Sequence, residues 1–173
     1  MTVNDSIPAW RSGPVDGAVG RRGAARPDLH IESAGGGAAG SVILVDDDLD
    51  VAEMYRLGLE SLGFSVIVAG NSTQLFLAID AHVPDIIVLD WELPGMRGDE
   101  ILQQIRLDQR TAALPVLMLS GFPATMDGAV DRVFLAGALA WLEKTKTPPT
   151  LLAAKLTEAL RRKSPDRSGA LEA

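Results

Sequence analysis

Four short apolar runs in this chain end in side chains that could do chemistry together. Three carboxylates suit a hard divalent cation, and a hydroxyl and an ammonium complete the set. The runs and the polar residues that follow them are 42–45 with Asp46, Asp47 and Asp48, 86–89 with Asp90, 116–119 with Ser120, and 138–142 with Lys144 shortly after.

The elements that must position these residues are predicted to be parallel strands. Short apolar runs bounded by turn residues are typical of buried strands in a parallel sheet, and Pro94-Gly95 prevents a strand from continuing far past Asp90. In such sheets, ligands bind outside the carboxyl ends of the strands. We therefore expect the four polar ends at one rim. An ordinary solvated aspartate at a strand end is the alternative for Asp90 taken alone.

Amphipathic stretches alternate with these strands. Asp50 is predicted to cap a first helix that runs to about Leu62, and residues 65–68 form another strand. The further predicted helices are one marked by Leu75, Phe76 and Ile79, then 98–108, 124–136 and 149–163. This strict alternation implies an α/β doubly wound domain, a five-stranded parallel sheet with helices on both faces.

With these elements in place, the chain resembles the receiver domain of bacterial two-component response regulators. The likeness covers residues 41–163, and its carriers are Asp46-Asp47, Asp90 in the stretch Asp-Trp-Glu-Leu-Pro-Gly-Met-Arg-Gly, Ser120, and Lys144. Each carrier alone is a weak indication, but four in the right order on the right strands are a strong one. The resemblance implies a flavodoxin-like sheet with strand order 2-1-3-4-5.

The resemblance also implies a phosphoryl-accepting switch that uses Mg2+. Asp47 and Asp90 would bind the ion directly, Asp46 would bind it through water, and the backbone carbonyl of Glu92 would complete the protein's share. Asp90 would be the nucleophile that takes a phosphoryl group from the phosphohistidine of a sensor histidine kinase or histidine phosphotransferase. The protein would catalyse only its own phosphorylation and dephosphorylation, so turnover of an external substrate is not expected.

Switching in this family couples the hydroxyl residue to an aromatic residue on the last strand. Lys144 and Ser120 would each contact a phosphoryl oxygen. As Ser120 moves, Trp141 would turn inward and change the face built from the fourth helix, fifth strand and fifth helix. A downstream protein, unknown from the sequence, would bind that face. The alternative is that Trp141 is simply fixed in the core.

Two positions depart from the family pattern. The family's Lys-Pro pair, whose peptide bond is typically cis, is Lys144-Thr145 here. A cis bond before a residue other than proline costs ~3 kcal/mol, so we expect a trans bond. Glu92 follows the phosphoacceptor by two residues, where its carboxylate could approach the attacking water and set the phosphate lifetime. A solvent-facing charge is the other interpretation of Glu92.

Composition limits the cellular setting and the partners. The chain has 173 residues and a net charge of −7. It has no cysteine, which excludes a disulfide framework and thiolate metal sites. Residues 41–163 carry eleven Lys and Arg against seventeen Asp and Glu, so direct nucleic-acid binding is not expected. No apolar stretch approaches the length of a membrane helix. We expect a cytoplasmic protein that is a monomer or a weak homodimer.

The two ends of the chain differ from its body. Residues 1–40 are rich in Gly, Ala, Arg and Pro, and we expect a disordered leader because so little apolar area cannot offset the entropy of ordering. Residues 164–173 are expected to form a disordered tail. With so little sequence after the last helix, the chain is predicted to be a stand-alone receiver domain, 41–163.

Two other functions fit parts of the pattern. A pseudo-receiver would keep the fold and act as a docking module that is never phosphorylated. A haloacid-dehalogenase-like, magnesium-dependent phosphatase would use Asp46 as nucleophile and Asp48 as general acid, since the two form an Asp-x-Asp after the first strand. That family expects Thr or Val where this chain has Asp50, and a larger chain with a cap.

Overall fold

The computed structural model describes residues 39–124 and 128–163, which alternate between strands and helices. The expected leader and tail lie outside these ranges, except for Ala39, whose N–H donates to the carbonyl of Gly63 at 2.9 Å, and Gly40, which begins the first strand. The elements are β1 (Gly40–Val45), α1 (Leu49–Ser61), β2 (Phe64–Ala69), α2 (Ser72–Ala81), β3 (Ile86–Leu89), α3 (Gly98–Leu107), β4 (Val116–Ser120), α4 (Ala129–Leu135), β5 (Ala140–Glu143), a 3-10 turn (Lys144–Lys146) and α5 (Pro149–Lys163).

The five strands form one parallel sheet with the order β2-β1-β3-β4-β5. This arrangement confirms the predicted doubly wound α/β fold and the strand order that the family resemblance implies. In the register of the central strands, Val45 of β1 pairs with Leu89 of β3. Because the last residues of β1 and β3 are neighbours, the aspartates that follow them emerge side by side.

The central strands β1, β3 and β4 are buried on both faces, as their continuous apolar runs predict, whereas the edge strand β5 is only half-buried. Alternate residues of each central strand point to opposite sides, so the domain has two hydrophobic layers. One layer, which includes Ile43 and Ile87, packs against residues of α2, α3 and α4. The other, which includes Leu44 and Val88, packs against residues of α1 and α5. The central strands are thereby held rigidly from both sides, which holds their carboxyl ends in place.

Helix α1 begins earlier than predicted, and the expected cap at Asp50 is wrong. The side chain of Asp48 accepts hydrogen bonds from the backbone N–H groups of Asp50 and Val51, at 3.1 and 3.2 Å. Asp48 is therefore the N-cap, and Asp50 lies in the first turn. Residue 48 takes this role because its oxygen reaches the free N–H groups two and three positions ahead.

Other boundaries differ from the predictions by a few residues. Strand β2 extends one residue further at each end than predicted. Helix α4 begins at Ala129, after Gly128 in a left-handed conformation with φ of 61°, whereas the predicted helix began at residue 124. Residues 125–127 of that prediction lie outside the described ranges. Helix α5 has the predicted bounds.

The described part of the chain contains no cis peptide bond, so the Lys144–Thr145 bond is trans, as expected. Within the two described ranges, no helix combines the length and the apolar composition that crossing a bilayer requires.

Candidate functional site

Three carboxylates converge where β1 and β3 end. The N–H of Asp90 donates to the carbonyl of Val45 at 2.9 Å, which extends the pairing of the two strands by one residue. Carboxylate oxygens of Asp46, Asp47 and Asp90 all lie within 4.8 Å of one another. Asp46 and Asp90 are buried, whereas Asp47 is exposed. The group is therefore a compact acidic site that is open to solvent on one side.

Lys144 reaches this site from the opposite half of the sheet. It follows β5, two strands away from β3, and its Nζ lies 2.7 Å from Asp46 Oδ2 and 2.8 Å from Asp90 Oδ2. Only 18% of the lysine side chain is exposed. The structure thus brings the predicted lysine and the predicted carboxylates into direct contact, although they are 54 residues apart or more.

Burial and ion pairing act in opposite directions on these groups. Burial raises the pKa of Asp90, and the hydrogen bond from Lys144 only partly offsets this, so the net direction is upward. Burial alone would lower the pKa of Lys144, but its bonds to Asp46 and Asp90 outweigh that effect and raise it. The ammonium therefore stays charged. Lys144 pairs with Asp46 and Asp90, and Asp47 adds a third carboxylate beside them, so the group has an excess of acidic side chains whose charge a metal ion could neutralise.

Ser120 and Trp141 meet at the backbone of Phe122. Ser120 is the last residue of β4 and fully buried, and its Oγ accepts a hydrogen bond from the N–H of Phe122 at 3.0 Å. The indole Nε1 of Trp141 donates to the carbonyl of Phe122 at 3.2 Å. The two residues predicted to act in switching therefore hold the same residue of the loop that follows β4, one from each side.

An aromatic contact that sequence reasoning missed lies beside Asp90. The rings of Trp91 and Trp141 have centroids 5.5 Å apart and planes inclined by 52°. The guanidinium carbons of Arg97 and Arg132 lie 5.9 and 5.7 Å from the centre of the Trp91 ring. Trp91 is buried, so the residue next to Asp90 links the site to β5.

The two arginines beside Trp91 share a buried carboxylate in α3. Arg132 Nε lies 3.2 Å from one oxygen of Asp99, and Arg97 Nε lies 3.5 Å from the other. Because Arg132 belongs to α4, this ion pair joins α3 to α4. The acidic first turn of α3 is visible in the sequence, but nothing in the spacing of these residues indicates that Asp99 is buried or which arginine it meets.

Gly98 allows α3 to begin directly against the site. A Cβ atom at this position would lie 2.7 Å from the carbonyl oxygen of Asp90 and 2.7 Å from the terminal methyl of Met118. The N–H of Gly98 donates to the carbonyl of Trp91 at 2.9 Å, which closes the loop after β3. Glu92 lies in that loop, and its side chain is exposed.

The residues of this site lie within a region of the chain that matches a known protein family. A family model described as the response regulator receiver domain matches residues 42–156, which include all the site residues named above. The chain belongs to this family. Its site residues therefore sit within a receiver domain, the signal-receiving module of two-component systems, and the family match does not favour a haloacid-dehalogenase-like phosphatase.

Relatives of this receiver domain include two bacterial regulators. The phosphate regulon transcriptional regulatory protein PhoB of Pseudomonas aeruginosa is 32% identical over 130 residues, which cover 75% of this chain and 56% of that protein. The DNA-binding response regulator MtrA of Mycobacterium tuberculosis is 33% identical over 112 residues, which cover 65% of this chain and 47% of that protein. The chain thus spans about half the length of these relatives.

Solved receiver structures share the fold. A putative response regulator from Chloroflexus aurantiacus superposes with a TM-score of 0.65 at 32% identity, covering 71% of this chain and 98% of that one. The chemotaxis response regulator CheY4 of Vibrio cholerae gives a TM-score of 0.62 at 24% identity, covering 69% of this chain and 97% of that one. The CheY4 comparison bears on the fold alone.

Proposed function

We propose that Asp90 of this receiver domain accepts a phosphoryl group from a phosphohistidine on a sensor histidine kinase or histidine phosphotransferase. The observation that carries the proposal is the meeting of Asp90 with Lys144, Asp46 and Asp47 at the end of the sheet. Phosphoryl transfer depends mainly on positioning and charge neutralisation, and this site offers a nucleophile, a fixed cation and further acidic ligands.

The donor set fits Mg2+, which prefers oxygen ligands and keeps several of its waters. Asp46, Asp47 and Asp90 would hold the ion, and the backbone carbonyl of Glu92 is the further ligand that family resemblance suggests. Their excess negative charge favours a divalent cation over an empty site. When bound, the ion would neutralise charge on the carboxylates and on the phosphoryl oxygens.

The residues of the chain would divide the remaining work. An Asp90 oxygen forms the new O–P bond while the P–N bond of the phosphohistidine breaks, and the bonding electron pair stays on the imidazole nitrogen. The Lys144 ammonium, already 2.8 Å from Asp90, holds the nucleophile and then contacts a phosphoryl oxygen. The Ser120 hydroxyl donates to another phosphoryl oxygen. Glu92, exposed in the loop after β3, is a candidate for controlling the phosphate lifetime.

Intact mass measured after incubation with acetyl phosphate and Mg2+ tests this function. We expect a gain of one phosphoryl group, and no gain when a chelator removes Mg2+ before acetyl phosphate is added. Borohydride reduction of the phosphorylated protein followed by peptide mapping should place the modification on Asp90. No gain in mass from acetyl phosphate or from a phosphohistidine donor would favour the pseudo-receiver. Label on Asp46 would instead favour the phosphatase-like chemistry.

If the site binds Mg2+, the ion should stabilise the fold, and this stabilisation should depend on Asp47. At a Mg2+ concentration of 100 times the dissociation constant, we expect about 2.7 kcal/mol of added stability, measured by urea unfolding with and without the ion. Asp47→Ala should lose most of this gain, and its fold should survive because the side chain is exposed.

Asp50→Ala is the matched control for the metal experiment. It removes an exposed carboxylate from the same acidic stretch, but one that does not belong to the converging group. The control should therefore keep the Mg2+ effect. Equal losses in the Asp47 and Asp50 variants would indicate general electrostatic screening and would contradict a discrete site.

For the output, we propose that Ser120 and Trp141 transmit phosphorylation to the face formed by α4, β5 and α5. If the Ser120 hydroxyl turns to the phosphoryl group, the N–H of Phe122 loses its acceptor and the loop that Trp141 also holds is released. The partners proposed are proteins, because residues 41–163 carry more Asp and Glu than Lys and Arg.

A fluorine label on tryptophan tests the switch. In protein made with 5-fluorotryptophan, we expect the Trp141 resonance to shift on phosphorylation, because the ring leaves its contacts with Trp91 and Phe122. The shift should be lost in Ser120→Ala protein that mass spectrometry shows to be phosphorylated. Trp141→Phe assigns the resonance, and the signal of Trp10, outside the family match, serves as the internal control. An unmoved Trp141 resonance in the phosphorylated wild type would rule out this coupling.

A further inference from the structure

The backbone that carries Lys144 is weakly held by its own hydrogen bonds. Lys144 begins a 3-10 turn of three residues, and the bond that closes the turn, from the N–H of Thr147 to the carbonyl of Lys144, is 3.4 Å long. Such short turns have poor hydrogen-bond geometry. Thr145 also lacks the ring that proline would supply to stiffen the chain. Some other contact must therefore keep Lys144 in place.

Tyr55 of α1 supplies that contact. Its hydroxyl donates to the carbonyl of Thr147 at 2.7 Å and lies 3.3 Å from the carbonyl of Lys144. A phenol has one hydrogen to donate, so the Thr147 bond is the stronger and the Lys144 contact shares it weakly. Tyr55 is 1% exposed and packs in the layer between the sheet, α1 and α5. Both ends of the turn are thus tied to a rigid, buried ring.

The state of the phenol suits this role. Burial raises the pKa of Tyr55, and the nearby Lys144 ammonium only partly opposes the rise. The hydroxyl therefore keeps its proton at neutral pH, so it can donate to the carbonyl of Thr147 and share that hydrogen weakly with the carbonyl of Lys144. An ionised phenolate would repel them.

Helix α1 also connects Tyr55 with the acidic side of the site. The helix is capped by Asp48, directly after Asp46 and Asp47, and Tyr55 lies seven residues further along it. Because a helix is rigid over this distance, one element sets the positions of the acidic residues at its start and of the turn that carries Lys144. The spacing between ammonium and carboxylates then depends on α1 as well as on the sheet.

We propose that Tyr55 is a positioning residue for Lys144, holding the lysine backbone so that its ammonium meets Asp90 in the phosphoryl-transfer geometry. The role rests on the proposed function of Asp90. It was not visible in the sequence, where Tyr55 falls on the apolar stripe of α1 and is accounted for by core packing. The hydroxyl is what distinguishes it from any other large core residue.

Tyr55→Phe tests the proposal, because it keeps the ring and removes the donor. Displacing a positioned group by a fraction of an ångström slows reactions markedly, and we expect the phosphorylation rate constant with acetyl phosphate to fall about tenfold. The dissociation constant for Mg2+ should be unchanged, because no ligand is altered. Ser61→Ala is the matched control, since it removes another α1 hydroxyl, one that donates to the carbonyl of Gly58 at 2.7 Å, and it should leave the rate unchanged.

A double-mutant cycle separates positioning from a general loss of structure. In a Lys144→Ala background, Tyr55→Phe should cause no further loss of rate, since there is no ammonium left to misplace. The same tenfold loss in that background, or an unchanged rate in the single variant, would overturn the role of Tyr55. A wild type that accepts no phosphoryl group would instead overturn the proposed function itself.

A second measurement keeps the Tyr55 hydroxyl in place. Tyr55 is the single tyrosine of the chain, so growth with 3-fluorotyrosine places one fluorine label at this position. Lys144→Ala should shift the fluorine resonance. Lys146→Ala, in the same turn but with a side chain 74% exposed, should leave it in place. Identical spectra for Lys144→Ala and the wild type would show that Tyr55 and Lys144 are not coupled and would overturn the proposal.

Discussion

Asp90→Asn is expected to abolish phosphoryl acceptance. The amide has nearly the size and shape of the carboxylate but is not a nucleophile, so incorporation from acetyl phosphate with Mg2+ should fall at least about 1,000-fold. Intact mass spectrometry measures the loss. The fold should survive, because asparagine keeps the size of the side chain and because burial, which raises the pKa of Asp90, already disfavours the charged form.

Asp80→Asn is the control for the Asp90 variant. It makes the same chemical change in a half-exposed ion pair with Arg110 on another part of the domain, where such pairs contribute little to stability. Phosphorylation of this control should match the wild type. If Asp90→Asn protein instead gains a phosphoryl group on Asp46 or Asp47, the nucleophile has been assigned to the wrong strand.

Lys144→Met is expected to impair both chemistry and stability. Without the ammonium, the phosphorylation rate should fall roughly 100-fold, since a fixed cation at the site of charge transfer is lost. Asp46 and Asp90 would also remain buried without their counter-charge, which should lower the unfolding free energy by roughly 3 kcal/mol in the absence of Mg2+. Urea unfolding and rate measurements on the same protein test both effects.

Mg2+ should reverse the stability loss of the Lys144 variant. A bound ion would compete with the ammonium for Asp46 and Asp90, so the stabilisation by Mg2+ should be larger in Lys144→Met than in the wild type. Lys146→Met removes a lysine two residues away whose side chain is largely exposed, and it should change neither rate nor stability. A Lys144→Met protein as stable as the wild type would show that the buried carboxylates do not need this cation.

The fold was predictable because its information is local and periodic. Apolar runs mark the buried strands, and helical spacing marks Leu152, Leu156 and Ala159 as the inward face of α5. Because strands and helices alternate strictly along the chain, the strands are expected to form a parallel sheet. The convergence of Asp46, Asp90 and Lys144 also follows, because carboxyl ends of parallel strands share one rim. Here sequence order and topology were sufficient.

Details inside the site were not predictable in the same way. Three consecutive aspartates look alike in the sequence, yet Asp46 meets Lys144, Asp47 faces solvent and Asp48 caps α1. The direction in which the chain leaves β1 decides these roles. No propensity distinguishes Asp48 from Asp50 as a cap without that direction.

The sequence by itself determined the class of fold and which strand each site residue follows. Only the tertiary structure decided the other contacts across the domain, those of Tyr55 with the backbone of the turn that begins at Lys144 and of Trp91 with Trp141. The physical reason is the range of the interactions. Secondary structure follows from neighbours a few residues apart, whereas the phenol and its acceptor are separated by 92 residues and meet only once the sheet and helices have packed.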